Sequence, residues 1–382
     1  MSSESNWNDL NPATLCVAGE HDPASGLSMP IQTSSAYFYL DEGAQPYPRY
    51  FNTPNQMSVA KKIAALEHAE AGMIFSSGMA AISTCIMSLV GPGDHVLLLQ
   101  GLYGGSHSFL INELTKWGIE YDFVAPCVDE FRSKVRDNTV LAYVESPTNP
   151  CLGILDLKAM AKFAREANIV TVIDNTFATP INQNPIDHGI DAIVHSGTKY
   201  LGGHSDLSSG AVVGSTAIMD KVMRQARMYG GNLNAISCYL LDRSIKTLDV
   251  RVQRQNTNAM VVAEFLASHD RVKSVLYPGL SDHPGHEIAA RQMAGFGGMM
   301  SFELDESIAL RDFLTSLNVI TPAMSLGGVE STVTVPVFTS HKEMSPEARA
   351  ECGVTPGMIR FSVGVESSTD LIADIRQALA SR

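Results

Sequence analysis

Two stretches decide the fold: Val170-Thr171-Val172-Ile173-Asp174-Asn175-Thr176 and Ala192-Ile193-Val194-His195-Ser196-Gly197-Thr198-Lys199-Tyr200. Each is a short apolar, β-branched run that stops abruptly in polar residues. That is the pattern of a strand buried on both faces whose carboxyl end opens toward a ligand. Outward from these, comparable runs lie at residues 96–99, 121–125, 140–145 and 211–213. Between two of them, Asp156 precedes Leu157, Met160, Ala161 and Ala164, which share one helical face, so Asp156 is expected to cap a crossover helix. The alternation predicts an α/β fold with a mostly parallel sheet covered by helices on both faces.

Before this region the rhythm is absent. Pro23, Pro30, Pro46 and Pro48 interrupt the first residues, which read as an extended arm. After Arg251 the pattern changes again, to a long helix through residues 260–266, strand-like runs at 298–304 and 359–365, and a closing helix from Asp370. The expected organisation is an arm over residues 1–56 that contacts a neighbouring subunit, a large domain over 57–250 and a smaller α+β domain over 251–382. No internal repeat or low-complexity segment interrupts it.

The totals narrow the function. At 382 residues there is room for two cores, which suits an enzyme better than a small binding module. The net charge of -13 repels phosphate backbones and argues against a nucleic-acid partner. No apolar run approaches the roughly 20 residues that span a bilayer, and residues 1–10 lack a secretory or transit pattern, so no membrane association and a cytoplasmic location are expected. The six cysteines are scattered without metal-knuckle spacing, and His283 and His286 have no third ligand nearby, so no metal is expected.

Chemistry is concentrated where strands end. Asp174 and Lys199 follow successive strands and can meet one ligand. Ser76-Ser77-Gly78-Met79-Ala80 opens a helix that runs to Leu89, and its free N–H groups suit a phosphate. Singly these features are ordinary turn and cap chemistry. Together, an amine, an acid and a phosphate cradle describe pyridoxal phosphate: the lysine forms its Schiff base, the acid faces its ring nitrogen, and Ser196 and Thr198 add hydroxyls to the cradle.

Across nearly its whole length the chain also resembles the cysteine and methionine metabolism family of pyridoxal-phosphate enzymes, which includes cystathionine γ-synthase, cystathionine γ-lyase, cystathionine β-lyase and methionine γ-lyase. The resemblance rests on Tyr47-Pro48-Arg49, Ser76-Ser77-Gly78-Met79-Ala80, Leu102-Tyr103-Gly104-Gly105-Ser106, Glu145-Ser146-Pro147-Thr148-Asn149-Pro150, Asp174-Asn175-Thr176-Phe177, His195 to Leu201, Gly203-His204-Ser205-Asp206, Ser325 to Ser331, and Ile359-Arg360-Phe361-Ser362. It implies the aspartate-aminotransferase fold (fold type I) and an oligomer, at least a dimer and expected to be a tetramer of two active dimers. It also implies roles. Lys199 carries the cofactor and shuttles protons, Asp174 holds the ring nitrogen protonated, and Tyr103 stacks on the ring. Gly78, Met79, Ser196 and Thr198 bind the phosphate within the subunit, and Tyr47 and Arg49 reach it from a neighbour. Arg360, with Ser325 and Asn149, takes the substrate carboxylate.

Two departures bear on the activity. Asn52-Thr53-Pro54-Asn55 is one residue longer than the Asn-Pro-Thr that the family carries after the Tyr-x-Arg pair. Met324 precedes Ser325 where the γ-synthases and γ-lyases have a glutamate facing the distal part of the substrate, while Gly105 stands where methionine γ-lyases carry cysteine. The expected activity is γ-elimination or γ-replacement on a homoserine derivative or sulfur amino acid. The alternatives are a cystathionine β-lyase, a γ-lyase for an oxygen-linked substrate such as canavanine, and, in a different class, a non-catalytic protein of the same fold.

Overall fold

The computed structural model describes residues 7, 10–19, 26–40, 43, 45–342 and 344–380. Pro23 of the arm and most of residues 1–10 lie outside them. In chain order the first strands are β1 (Ala71–Phe75), β2 (His95–Leu99), β3 (Glu120–Val124), β4 (Thr139–Glu145), β5 (Val170–Asp174), β6 (Ala192–Ser196) and β7 (Gly210–Gly214). They form one sheet in the order β1-β7-β6-β5-β4-β2-β3. β7 pairs antiparallel with β1 and β6, and every other pairing is parallel.

The six strands read from apolar runs are all present: β2 and β7 are buried along their full length, β4, β5 and β6 nearly so, and β3, at the sheet edge, is buried only at Val124. Asp156 caps the helix Leu157–Glu166 as expected, its Oδ1 accepting the Ala159 N–H at 3.0 Å, with Leu157, Met160, Ala161 and Ala164 buried on the sheet side. β1 is an addition. Its sequence, Ala-Gly-Met-Ile-Phe, is short, and Gly72 lies where a Cβ would sit 2.9 Å from the Ala60 carbonyl of the preceding helix Pro54–Leu66, so close packing takes the place of a strand signature.

A second sheet combines β8 (Val272–Leu276), β9 (Met299–Leu304), β10 (Thr321–Pro322), β11 (Thr332–Thr334) and β12 (Met358–Ser362) in the order β10-β11-β12-β9-β8. The helix Leu248–Ala267 leads into it, and the division read at residues 250/251 falls in the first turn of this helix. One apolar cluster runs without a break from the first sheet to Phe302, Phe313, Ile359 and Phe361 of the second. Among the described residues no helix is long and apolar enough to cross a membrane.

The arm has its own anchors. Leu15 and Cys16 of the helix Pro12–Val17 are buried, and this helix packs on the helices Pro54–Leu66 and Leu248–Ala267. Leu27, Phe38, Tyr39 and Leu40 are exposed. Residues 47–56 form a tight turn: Asn52 Oδ1 accepts the Tyr47 N–H at 2.7 Å, Phe51 takes a left-handed φ of 59°, and Thr53 with Gln56 closes a capping box on the next helix.

The turn after β6 is held from the second domain's side by Arg251. This buried guanidinium donates to the Tyr200 carbonyl at 2.8 Å, to the Ser244 carbonyl at 3.0 Å and to Thr247 Oγ1 at 3.1 Å, and burial pushes its pKa down to about 10. Arg251→Met keeps the volume but removes the donor to the Tyr200 carbonyl and one of the donors to the Ser244 carbonyl, which keeps Thr247. It is expected to lower stability in urea unfolding by roughly 2 to 3 kcal/mol, the scale of lost charge-assisted bonds at buried groups. An unchanged unfolding midpoint would show that the Tyr200 turn holds itself.

Candidate active site

β4, β5 and β6 are adjacent and parallel, so their carboxyl ends present residues side by side. In register, Glu145 pairs with Asp174 and Asp174 with Val194. The chain then leaves β6 in a turn fastened by Lys199 N to the Ser196 carbonyl at 3.1 Å and Gly203 N to the Lys199 carbonyl at 2.7 Å. These ends open into a cavity of about 630 Å³.

Lys199 Nζ enters this cavity and donates to Ser325 Oγ at 2.7 Å. Burial first, and then the nearby Arg360 guanidinium, push its pKa down to about 8, with Asp174 opposing. Asp174 is buried, and its Oδ1 accepts the Thr176 N–H at 2.9 Å. Burial raises its pKa, while the Thr176 bonds, His195 and Lys199 hold the rise in check.

The opposite wall is the start of the helix Gly78–Met87. Ser77 Oγ accepts the Ala80 N–H at 3.1 Å, and the Gly78 and Met79 N–H groups find no partner among the described residues. A Cβ at Gly78 would lie 2.8 Å from Ser196 Cβ, so only glycine lets the helix start come this close to the end of β6. Ser77, Ser196 and Thr198 line the same cavity. Unpaired helix N–H groups and a hydroxyl cluster, with an amine and a carboxylate beside them, fit the phosphate, aldehyde and ring nitrogen of pyridoxal phosphate.

Tyr103 lines the cavity with its ring partly exposed, and its backbone N–H donates to Glu145 Oε2 at 2.9 Å. Gly105 gives the ring its place, since a Cβ there would lie 2.5 Å from Tyr103 Cε1. On the far side, Arg360 of β12 donates from Nη1 to Asn149 Oδ1 at 3.0 Å and from Nη2 to the Ser325 carbonyl at 3.2 Å, and burial lowers its pKa to about 10. Ser325 takes a left-handed φ of 77°, an unusual backbone for a non-glycine residue, which aims both its hydroxyl and its carbonyl at the site. Met324 lines the same cavity and is 73% exposed.

Thus Lys199, Asp174, Tyr103, Gly78, Met79, Ser196, Thr198, Asn149, Ser325, Met324 and Arg360 converge within one chain. Tyr47 and Arg49 do not line this cavity. Arg49 Nη1 donates to the Arg227 carbonyl at 2.7 Å, and its guanidinium lies 5.6 Å from the Tyr47 ring centre and 5.2 Å from that of Tyr50. His283 and His286 are engaged locally with Gly285 N and the Pro278 carbonyl, and no metal-competent cluster occurs among the described residues.

Reading from sequence placed Glu145 at a strand end, as a residue that orients a loop rather than handling protons, and passed over two contributors, Thr334 and Ser340. Glu145 ends β4 just as Asp174 ends β5, and the strand-end rule that found one also points to the other. Thr334 and Ser340, which line the cavity from the second domain's side, carry no local signal, because a long chain separation brings them there. Ser340 closes against Gly104, where any Cβ would strike its carbonyl oxygen.

Comparison with known proteins agrees with this geometry. The family model for Cys/Met metabolism PLP-dependent enzymes matches residues 13–380. The chain is 42% identical over 377 residues to the cystathionine gamma-lyase of Bacillus subtilis (strain 168), covering 97% of this chain and 99% of that protein. It is also 42% identical over 362 residues to the cystathionine beta-lyase of Lactococcus lactis subsp. cremoris (strain MG1363), covering 93% and 94%. The crystal structure of cystathionine gamma-lyase from Lactobacillus plantarum complexed with L-serine superposes with a TM-score of 0.94 at 37% identity, covering 97% of this chain and 99% of that one. The chain therefore belongs to the Cys/Met metabolism family of pyridoxal-phosphate-dependent enzymes.

Proposed function

We propose that the chain carries out elimination or replacement at the γ carbon of a γ-substituted amino acid, with Lys199 as the cofactor-holding residue and proton shuttle. The observation that carries this reading is the convergence of Lys199 Nζ, the Asp174 carboxyl and the Arg360 guanidinium on one cavity. When bound, pyridoxal phosphate supplies an aldehyde that condenses with amines and a ring that takes up the electrons of a broken bond at the α carbon.

The chain's own residues do the rest. Arg360, oriented by Asn149 Oδ1 and the Ser325 carbonyl, presents a planar fork to the substrate carboxylate. That contact fixes which bond at the α carbon faces Lys199. Nζ sits on a flexible stem, with Ser325 Oγ as a resting partner; it would take the proton from the α carbon, pass it on to the cofactor, and, neutral again, take one from the β carbon, as departure of a γ substituent requires. Asp174 holds the proton on the ring nitrogen, and Gly78, Met79, Ser196 and Thr198 hold the phosphate. Tyr103, which lines the cavity, would stack on the cofactor ring and exclude water from one face.

The leaving group is constrained by charge. The acids lining the described cavity are Glu145 and Asp174, both at the strand ends. The residue at the mouth is Met324, a thioether. Being largely exposed, it takes little water from a distal ammonium, but it offers that ammonium no counter-charge to bind. Substrates without a second amino group are therefore favoured over cystathionine. The equal identity to a protein named cystathionine beta-lyase keeps β-elimination as the second reading.

The separation of Tyr47 and Arg49 from their own cavity supports an oligomer in which each arm completes a neighbour's phosphate site. An inactive Arg49→Ala chain mixed with an inactive Lys199→Ala chain should then recover part of the activity. No recovery in verified mixed oligomers would mean that each site is complete within one chain.

Three further outcomes follow from the site. Because the Lys199 pKa is lowered, its neutral, nucleophilic amine forms as pH rises through about 8 instead of 10.5. The rate at which the cofactor-free protein takes up pyridoxal phosphate should rise with that midpoint, and a midpoint at the ordinary lysine value would contradict the burial argument. With homocysteine, methionine, cystathionine, O-acyl homoserines and canavanine as the substrate panel, 2-oxobutanoate is expected to exceed pyruvate wherever a lyase reaction occurs, homoserine being the product if hydroxyl is delivered to the γ carbon. Met324→Glu should shift preference toward cystathionine. Pyruvate from cystathionine, with no reaction at any γ-substituted homoserine, would establish the β-lyase reading in its place.

A further inference from the structure

Glu145 has no part in the roles assigned above, yet it lies in the middle of them. It ends β4 directly opposite Asp174 on β5, so both carboxyls leave neighbouring parallel strands on the same face and both line the cavity. The residue is buried, and its Oε2 accepts the Tyr103 N–H at 2.9 Å. The ionisable groups around it come from every neighbouring element: Asp174 from β5, Tyr143 from its own strand, Tyr103 from the loop after β2, and Arg360 from β12. A backbone bond from Asn149 reaches it as well.

Two carboxylates cannot share a dry site without strong repulsion, so one of a neighbouring pair keeps its proton. Which one is decided by partners. Asp174 has the Thr176 N–H and side chain, His195 and Lys199 to hold its negative charge. Glu145 is pushed well above the usual carboxylate range, first by burial and next by the Asp174 charge, against the opposing pull of the Tyr103 N–H, Arg360 and the Asn149 N–H.

We propose that Glu145 is a positioning residue of this site, which fastens Tyr103 over the cofactor position through the Tyr103 N–H and keeps a proton beside Asp174, so that the two strand-end acids carry one negative charge. This rests on the reading of Asp174 as partner of the ring nitrogen. A second negative charge beside Asp174 would alter the proton affinity of that nitrogen, and a loosened Tyr103 would uncover the ring.

The test uses the cofactor-loaded enzyme and two substitutions. Glu145→Gln is a neutral isostere that still accepts the Tyr103 N–H. It should retain cofactor and lower kcat at neutral pH by less than about fivefold, and it should erase one step, above the usual carboxylate range, from the pH titration of the bound cofactor's visible absorbance. Glu145→Ala removes the acceptor and should lower kcat by about tenfold or more. If the alanine variant fails to fold, the glutamine variant decides alone. An absorbance titration of Glu145→Gln that superposes on the parent's overturns the proposal, and so does a loss of about a hundredfold at neutral pH, which would mean that the Glu145 anion is needed. Cofactor attachment and product identity in the parent enzyme test the underlying reading separately, since neither depends on the difference between variants.

Discussion

Glu145, Asp174, Lys199 and Arg360 share one cavity, and keeping these ionisable groups largely out of water is the constraint on which the rest of the structure depends. Each buried ion costs several kcal/mol unless partners restore what hydration supplied. Those partners are recruited from distant parts of the chain. Asp174 takes the Thr176 N–H, Arg360 takes Asn149 Oδ1 and the Ser325 carbonyl, and Lys199 takes Ser325 Oγ. The residual imbalance is visible in the pKa shifts, with Lys199 lowered to about 8 and Arg360 to about 10. The first value is the useful one, because it brings a lysine into a range where it can both give and accept protons.

The two sheets exist in their present relation to satisfy that constraint. Parallel register at β4, β5 and β6 delivers the acids and the lysine turn from one side, and β12 delivers Arg360 from the other, with Thr334 opposite it on β11. Arg251 ties the long helix Leu248–Ala267 to the lysine turn at the Tyr200 carbonyl, next to Lys199. The left-handed Ser325 makes a single residue a partner to both cations.

How much of this was legible in the sequence depended on how local the cause was. Strands β2 and β4 to β7 announced themselves because burial on both faces demands apolar runs, the edge strand β3 by its aromatic and β-branched residues, and Asp156 announced a helix because a cap must precede its apolar stripe. β1 did not, since Gly72 packs closely where a strand signature would stand. β8 did not either, since it is only partly buried. Asp174 and Lys199 could be found from strand ends alone. Arg360 could not, because an arginine within a strand carries no mark of a ligand, and only the resemblance to known enzymes identified it. Glu145 was visible by the same rule as Asp174, but its meaning came from the register that sets the two side by side. Thr334 and Ser340 reach the cavity by chain folding that no local pattern encodes.

Reactivity at one carbon over another follows from the same arrangement. In the proposed reading Arg360 would fix the carboxylate, Lys199 would remove the α and β protons, and Met324 would offer no counter-charge to a distant ammonium. All of this requires that the cofactor be held by Lys199. Reduction of the purified protein with borohydride, followed by peptide mass mapping, measures that directly. A phosphopyridoxyl group on the peptide containing Lys199, with loss of the visible absorbance, is the predicted result. The group on another lysine, or no chromophore in protein purified with pyridoxal phosphate, would contradict it.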